Sequence, residues 1–424
     1  MKKFGRFLIF ILLFPSVAGS AEVVTWDDVV REASQANPDY SAALDILRRS
    51  RSDVSASRSD FFPRVSVDSS YNAGNSASTG GLGIDLSNIR QEFDVGGSIR
   101  QNLFSGFKTQ SGYRRSRALL TDSQANLLGV KAQVAFDLKT AFAQLLFAQD
   151  RIKLNESILK RRGDNFRLVH LRYEGGIENK GSSLRSEAQL KQAEYDLTES
   201  KRGLKTAQTD LARSLGRPEP SEADLQAKGS FKTLYPTTPP NLEALADLTP
   251  DVGRAAAQVK VAQADVDLAK GDLFPNIDAA GTLSRSKVLD EDSSNRWTAG
   301  VVLSYPFLLG GRDLYEIQGA KADRKRSEAN LQSVALRVTA DLKRDLADFK
   351  NAVERVKVQE AFVNAARVRS EIARSQYSNG LIQFFDWDGI ENDLIQNERT
   401  LLESRRDAMI AEAQWERTQG KGAW

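Results

Sequence analysis

The sequence predicts a mainly α-helical protein with a transmembrane β-barrel: a long α-helical coiled-coil barrel, four strands per chain, and an internal twofold repeat. Three observations predict it. Two distant stretches, 60-DFFPRVSVDS-69 and 272-DLFPNIDAAG-281, open alike with Asp, two apolar residues and Pro. Very long segments carry apolar residues at helical spacing, as a coiled coil requires. The segments after each Pro alternate apolar and polar with period two, as a two-faced sheet requires.

The 424-residue chain starts with a basic head (Lys2, Lys3, Arg6), an apolar run from Phe7 to about Val17, and small residues from Ala18 to Ala21. This reads as a signal peptide over residues 1–21, too short to span a bilayer. Its removal cancels the formal +3 charge, so no nucleic-acid partner is expected. Cys is absent, which excludes disulfides and a lipid-anchored N-terminus and leaves packing and association to hold the fold. No later run is apolar enough for a membrane helix, so membrane entry would need strands.

The repeat orders the elements. One constant shift lays Pro38-Asp39 on Pro250-Asp251, Ala43 on Ala255, and Asp60, Phe62 and Pro63 on Asp272, Phe274 and Pro275. A slightly smaller shift lays Gly106 on Gly310, Tyr173 on Tyr377, Gly176 on Gly380 and Gly216 on Gly420. The shift changes inside NAGNSASTGGLGIDLSN, a stretch of loop composition. The expected repeats are residues 22–216 and 246–424, joined by a Pro/Thr-rich linker over 217–245. Each holds a helix (about 26–58; about 251–270), a hairpin, a very long helix (about 107–172; about 312–376), a Gly turn and a shorter helix (about 183–214; about 388–417). In the first long helix Val130, Val134, Leu138, Ala141, Leu145, Ala148 and Ile152 form the seam. About 66 residues at roughly 1.5 Å each make a rod of about 100 Å, which needs other rods beside it.

The strands are the more telling part. Phe93, Val95, Gly97 and Ile99 share one face, against Asp94, Gly96, Ser98 and Arg100. Trp297, Ala299, Val301, Leu303 and Tyr305 share a face, as do Ile277, Ala279, Gly281 and Leu283, and Val65, Val67 and Tyr71. Four strands cannot close a barrel, and open edges invite association. No other segment is available to cover the apolar face. Three chains would supply about twelve strands to one barrel with its apolar side to lipid.

With NPDYSAAL, the DFFP and DLFP openings, YPFLLGGRDL, YEGGI and YSNGL in this doubled order, the chain resembles the TolC-like outer membrane efflux protein family over essentially its mature length. The resemblance implies a homotrimer with one barrel in outer-membrane lipid and a helical tunnel in the periplasm. It implies docking of a periplasmic adaptor at the tip turns, Gly175, Gly176 and Ile177 with Asn379, Gly380 and Leu381. The adaptor would couple the channel to an inner-membrane pump for efflux or type I secretion, with no cofactor. Family members often start the next helix with an Asp-Val-Leu-like run. Here Asp386 is followed by bulky Trp387, and the first copy has Ser182 at that position.

Candidate chemistry is sparse. Asp386 and Asp388, in three copies, would ring a narrow mouth with negative charge and favour cations. Asp388-x-x-Glu391 also reads as a helix-capping box. Phe384, Phe385 and Trp387 read as interhelical packing, or as an adaptor contact. The acidic run 290–292 reads as a solvated loop. His170 is the only histidine, and no Cys accompanies it, so neither a convincing triad nor a His/Cys zinc site is expected. The reading is a channel-tunnel and not an enzyme. The rivals are a periplasmic coiled-coil scaffold or adaptor that stays out of the membrane, and a hydrolase on a helical stalk. The four alternating segments separate the first from the second; the missing nucleophile–base pair speaks against the third.

Overall fold

The computed structural model describes residues 22–75, 89–217, 225–231, 233, 240–288, 292–307 and 310–424. The expected signal peptide, most of the Gly/Ser/Asn-rich stretch, and Asp290 and Glu291 lie outside the described residues. In chain order the elements are β1 (Glu22–Val24), α1 (Trp26–Ala36), α2 (Pro38–Ser59), β2 (Arg64–Asn75), β3 (Ile89–Ser105), α3 (Lys108–Glu174) and α4 (Lys180–Leu215). Then follow β4 (Leu225–Ala227), α5 (Leu242–Asp247), α6 (Pro250–Gly271), β5 (Asn276–Val288), β6 (Ser294–Ser304), α7 (Arg312–Ser378) and α8 (Phe384–Thr418). They fall into two units.

The unit comprising Ala42–Val130 and Asn241–Asp341 holds the sheet. Its four antiparallel strands run in the order β2-β3-β5-β6. Register places Val65 opposite Ile99, Ile99 opposite Gly281, and Gly281 opposite Ala299, so the apolar sets of all four strands share one face. Among the described residues nothing covers that face: Val67 is 79% exposed and Trp297 75%. The other face is polar and laced across strands, with Ser66 to Ser98 at 2.8 Å and Ser286 donating to Glu92 at 2.7 Å. Among the described residues both outer strands, β2 and β6, have an unpaired edge. A bulge between Asn102 and Phe104 leaves Leu103 out of register and returns Phe104 to the apolar face, opposite Ile277. The faces read in the sequence ended at Arg100, ahead of this bulge. In the last strand the alternation carried Tyr305 on as strand, but β6 stops at Ser304, ahead of Pro306.

Strand passes to helix through residues of positive φ, Gly106 (62°) and Phe107 (65°) in the first copy, Gly310 (64°) and Gly311 (82°) in the second. A Cβ on Gly106 would sit 2.3 Å from the Gly271 carbonyl oxygen, so only Gly fits there. Phe107 takes the left-handed conformation without that freedom. Its ring meets Phe104 and Phe274 edge-on at 5.3 and 6.1 Å. The quoted openings also fold alike: Phe62 N–H donates to Ser59 O, and Phe274 N–H to Gly271 O.

The other unit, the residues up to Ser41 with Lys131–Pro240 and Leu342–Trp424, is helical with one small sheet. α3 and α7 have 67 residues each. Leu138 and Leu145 of the predicted seam are fully buried, and Val134, Ala141 and Ala148 nearly so. Phe142, Ala143 and Leu146 are buried too, so here α3 packs on two flanks and its apolar stripe is wider than a two-stranded seam. The expected first helix is two helices. Asn37 is extended ahead of Pro38, as a residue before Pro tends to be, and its side chain bonds Tyr40 N–H and Ser214 O. The linker expected to lack regular structure contains β4, which pairs in parallel with β1. Arg217 clasps this junction, reaching Glu22 through two nitrogens at 2.9 Å and Glu32 at 2.6 and 2.8 Å.

Candidate functional site

The sequence-predicted site residues all lie where α3 turns into α4 and α7 into α8, within the helical unit. Each long helix ends by the same device. Gly176 (φ 69°) donates to Tyr173 O and Ile177 to Arg172 O; Gly380 (φ 74°) donates to Tyr377 O and Leu381 to Gln376 O. These paired bonds satisfy the last helical carbonyls and require a left-handed residue at the glycine. The space beside Gly176 is open, so backbone conformation, not crowding, selects the residue. The apolar residue after each glycine packs against nothing that shields it: Ile177 is 69% exposed and Leu381 73%. In the first copy Asn179 then caps α4, accepting from Ser182 N–H at 2.9 Å.

The second copy departs from expectation. α8 begins at Phe384, a turn before Asp388, with Gln383 as a cap whose side chain makes no bond. Asp388 and Glu391 therefore form no capping box. The reason is packing: Phe384 and Trp387 must lie on one helical face to join Val169, Ala373 and Tyr377 in a buried cluster. Trp387 stacks on Tyr377 at 4.4 Å. Of the three aromatics read as packing or docking, Phe384 and Trp387 pack, and Phe385 stays 70% exposed.

Asp388 is 3% exposed, and its charge is met inside the chain. Arg185 Nε donates to it at 3.0 Å, Gln189 at 2.7 and 3.0 Å, and Arg162 Nη1 at 3.4 Å. Burial pushes the Arg162 guanidinium down from its usual value, and Asp388 opposes that shift, so Asp388 keeps a cation in the interior. Asn392 also accepts from Arg162, at 2.5 Å, and Ser370 donates to buried Glu391. Asp386 is different. It is exposed and makes no ion pair among the described residues.

A second set of bonds ties the two turns together. Arg172 lies over the Tyr377 ring at 4.8 Å and donates to the Tyr377 and Ser378 carbonyls at 3.0 and 3.2 Å. Tyr377 donates its hydroxyl to Glu178 at 2.9 Å. Burial, with the Glu178 bond and charge adding, pushes this phenol well above its usual range. Tyr377 opens the quoted YSNGL, but Arg162, Arg172, Glu178, Arg185 and Gln189 carry no local motif. Their partners lie about two hundred residues away in sequence in most cases, and nothing short-range announces them. His170 faces Ser183 Oγ at 3.2 Å and Glu174 at 3.4 Å, but the Ser183 side chain is buried beyond a substrate's reach. Among the described residues no group of three or more metal-ligating side chains occurs.

Among the described residues the sheet hides neither its apolar face nor its edges, the form a strand set contributed to a membrane barrel takes, and it is continuous in sequence with two very long helices. The class this defines is an outer-membrane conduit with a helical extension. The model of the outer membrane efflux protein family matches residues 29–217 and 242–420, and the chain belongs to that family. Its function is efflux through an outer-membrane channel-tunnel, with the helical part in the periplasm. Nodulation protein T of Rhizobium leguminosarum bv. trifolii is 22% identical, over 67% of this chain and 61% of that protein. The cation efflux system protein CusC of Escherichia coli K12 is 20% identical over 88% of this chain and 82% of that protein. The structure of the outer-membrane channel OprN superimposes with a TM-score of 0.82 at 22% identity, covering 93% of this chain and 90% of that one.

Proposed function

We propose that the chain works as a homotrimer whose three sheets close one barrel of about twelve strands. The observation that carries this is the pair of unpaired edges, β2 and β6, on a sheet whose apolar face is bare. Edge pairing between copies satisfies the backbone groups that lipid cannot. Residues 22–216 and 246–424 then act as two near-equivalent units per chain, which gives the tube pseudo-sixfold regularity. The turns Gly175–Ile177 and Asn379–Leu381 present exposed Ile177 and Leu381 to a periplasmic adaptor that couples the channel to an inner-membrane transporter. Asp386 contributes a ring of negative charge at the mouth; Asp388 holds the helices together behind it. The protein performs no chemistry itself. Energy and most selectivity come from the inner-membrane partner, in efflux or in type I secretion.

The test is the native mass of the mature protein extracted from outer membranes in detergent. Three chains, with conductance in planar bilayers, is the expected result. A soluble monomer or dimer that needs no detergent would remove the channel assembly and favour a periplasmic scaffold.

A further inference from the structure

The bare apolar face of the sheet is interrupted by charge at one end. Along β5 that face runs Ile277, Ala279, Gly281, Leu283, and then Arg285 and Lys287. Register sets Arg285 opposite Val95, Lys287 opposite Phe93, and Leu283, two residues back, opposite Trp297. Both basic side chains are exposed and without an ion pair among the described residues. Arg285 donates to the Ser293 hydroxyl at 2.9 Å. A cavity of about 370 Å³ lies here, lined by Phe93, Val95, Arg285, Lys287, Asp292 and Ser293. Among the described residues that line it, the two cations outnumber the one carboxylate, Asp292.

The topology says where this cavity lies. β3 and β5 are the inner strands of the sheet, so edge pairing with further copies leaves the cavity open. The strand ends at Arg64, Ser105, Asn276 and Ser304 lead toward helices, while Lys287 is one residue from the hairpin end of β5. With the helices in the periplasm, the hairpin end is the external one. Trp297, Phe93 and Tyr71 share the face at this level, as an aromatic girdle does where lipid tails give way to headgroups. A cation on a lipid-facing strand is costly at mid-bilayer and nearly free at that rim. Two cations two residues apart on one face stand about 7 Å from each other, a spacing that one phosphorylated headgroup spans.

We propose that Arg285 and Lys287 bind the phosphate groups of an anionic glycolipid in the outer leaflet, whose acyl chains lie along Leu283, Val95 and Trp297. Arg285 grips phosphate oxygens through its planar fork, and Lys287 adds a mobile point charge. The proposal rests on the barrel reading above. In the test, the mature full-length protein in detergent is titrated with bisphosphorylated lipid A, with the same lipid dephosphorylated, and with inorganic phosphate. Bound lipid is counted by native mass spectrometry. The expected result is that Arg285→Gln with Lys287→Gln weakens lipid A binding about thirtyfold, to the level of the dephosphorylated lipid. Arg285→Lys keeps the charge but not the fork, so it should fall between wild type and the double variant, and Arg296→Gln, on the polar face, should change nothing. Equal binding by wild type and the double variant, or equal binding of both lipids, overturns the site. Competition by millimolar inorganic phosphate overturns the lipid as its occupant. Each protein's oligomer mass is read in the same spectra: a wild type that is not a membrane oligomer fails the barrel reading, whereas an assembled one indifferent to lipid phosphate fails only the site.

Discussion

Asp386 and Asp388 stand two residues apart, yet helical geometry gives them opposite surroundings. One turn of α8 carries Asp388 inward with Phe384 and Trp387 and leaves Asp386 outside with Phe385. Replacing Asp388 by Asn would remove the hydrogen-bonded counter-charge of buried Arg162 and leave it only the charge of Glu391 nearby. We expect a loss of about 3 kcal/mol, the usual cost of removing one member of a buried pair. Hydrogen exchange across residues 378–395 reads it, and unchanged protection there would show that Gln189 and Asn392 suffice to hold Arg162. Asp386→Asn should leave that protection intact and reduce cation preference in single-channel recordings. If selectivity does not move, Asp386 has no part in the mouth.

At the scale of the element, glycine turns and a charged clasp set where helices and strands end. Gly176→Ala and Gly380→Ala place a Cβ on a left-handed residue. Each should cost about 1 kcal/mol, seen as faster exchange of the Ile177 or Leu381 amide. An effect at only one turn would break the equivalence of the two copies. The clasp at Arg217 predicts a pH dependence. Its hydrogen bond to Glu22, with its charge adding and burial opposing, holds that carboxyl below the ordinary range. The charged form is therefore favoured by folding. This contribution is full above the ordinary carboxylate pKa and is lost as pH falls through the lowered one. Thermal unfolding of wild type should lose stability over that acid interval, and Arg217→Gln should lose less. Identical acid profiles would mean that the clasp contributes nothing at this junction.

For the whole molecule, the faces of the sheet matter more than the exposure of any residue. Val301 and Val302 are 65% and 59% exposed in the single chain, so exposure does not tell them apart. Register does: Val301 pairs with Ala279 on the apolar face and Val302 with Asp278 on the polar one. Val301→Arg should cost about 3 kcal/mol near mid-bilayer and impair membrane assembly. Val302→Arg should assemble normally. Equal behaviour of the two variants, judged by yield of detergent-extracted oligomer, would refute the assignment of faces.

Helix and strand periodicity, the doubled Asp-Phe/Leu-Phe-Pro openings and the matched glycines were legible in the sequence because they are local. A period of two or of about 3.6 is written in neighbouring residues, and a left-handed turn asks for Gly wherever it occurs. The sequence by itself therefore determined the helical class, the four two-faced strands and the position of the tip turns. The bulge at Leu103, the early start of α8, the pairing of β1 with β4 and the enclosure of Asp388 were decided only by tertiary structure. Each depends on groups distant in the chain: Ile277 opposite Phe104, Val169 in one cluster with Phe384 and Trp387, Leu225 beside Glu22, Arg162 and Arg185 around one carboxylate. Desolvation of those groups acts only when the fold brings them together, and no spacing along the chain records it.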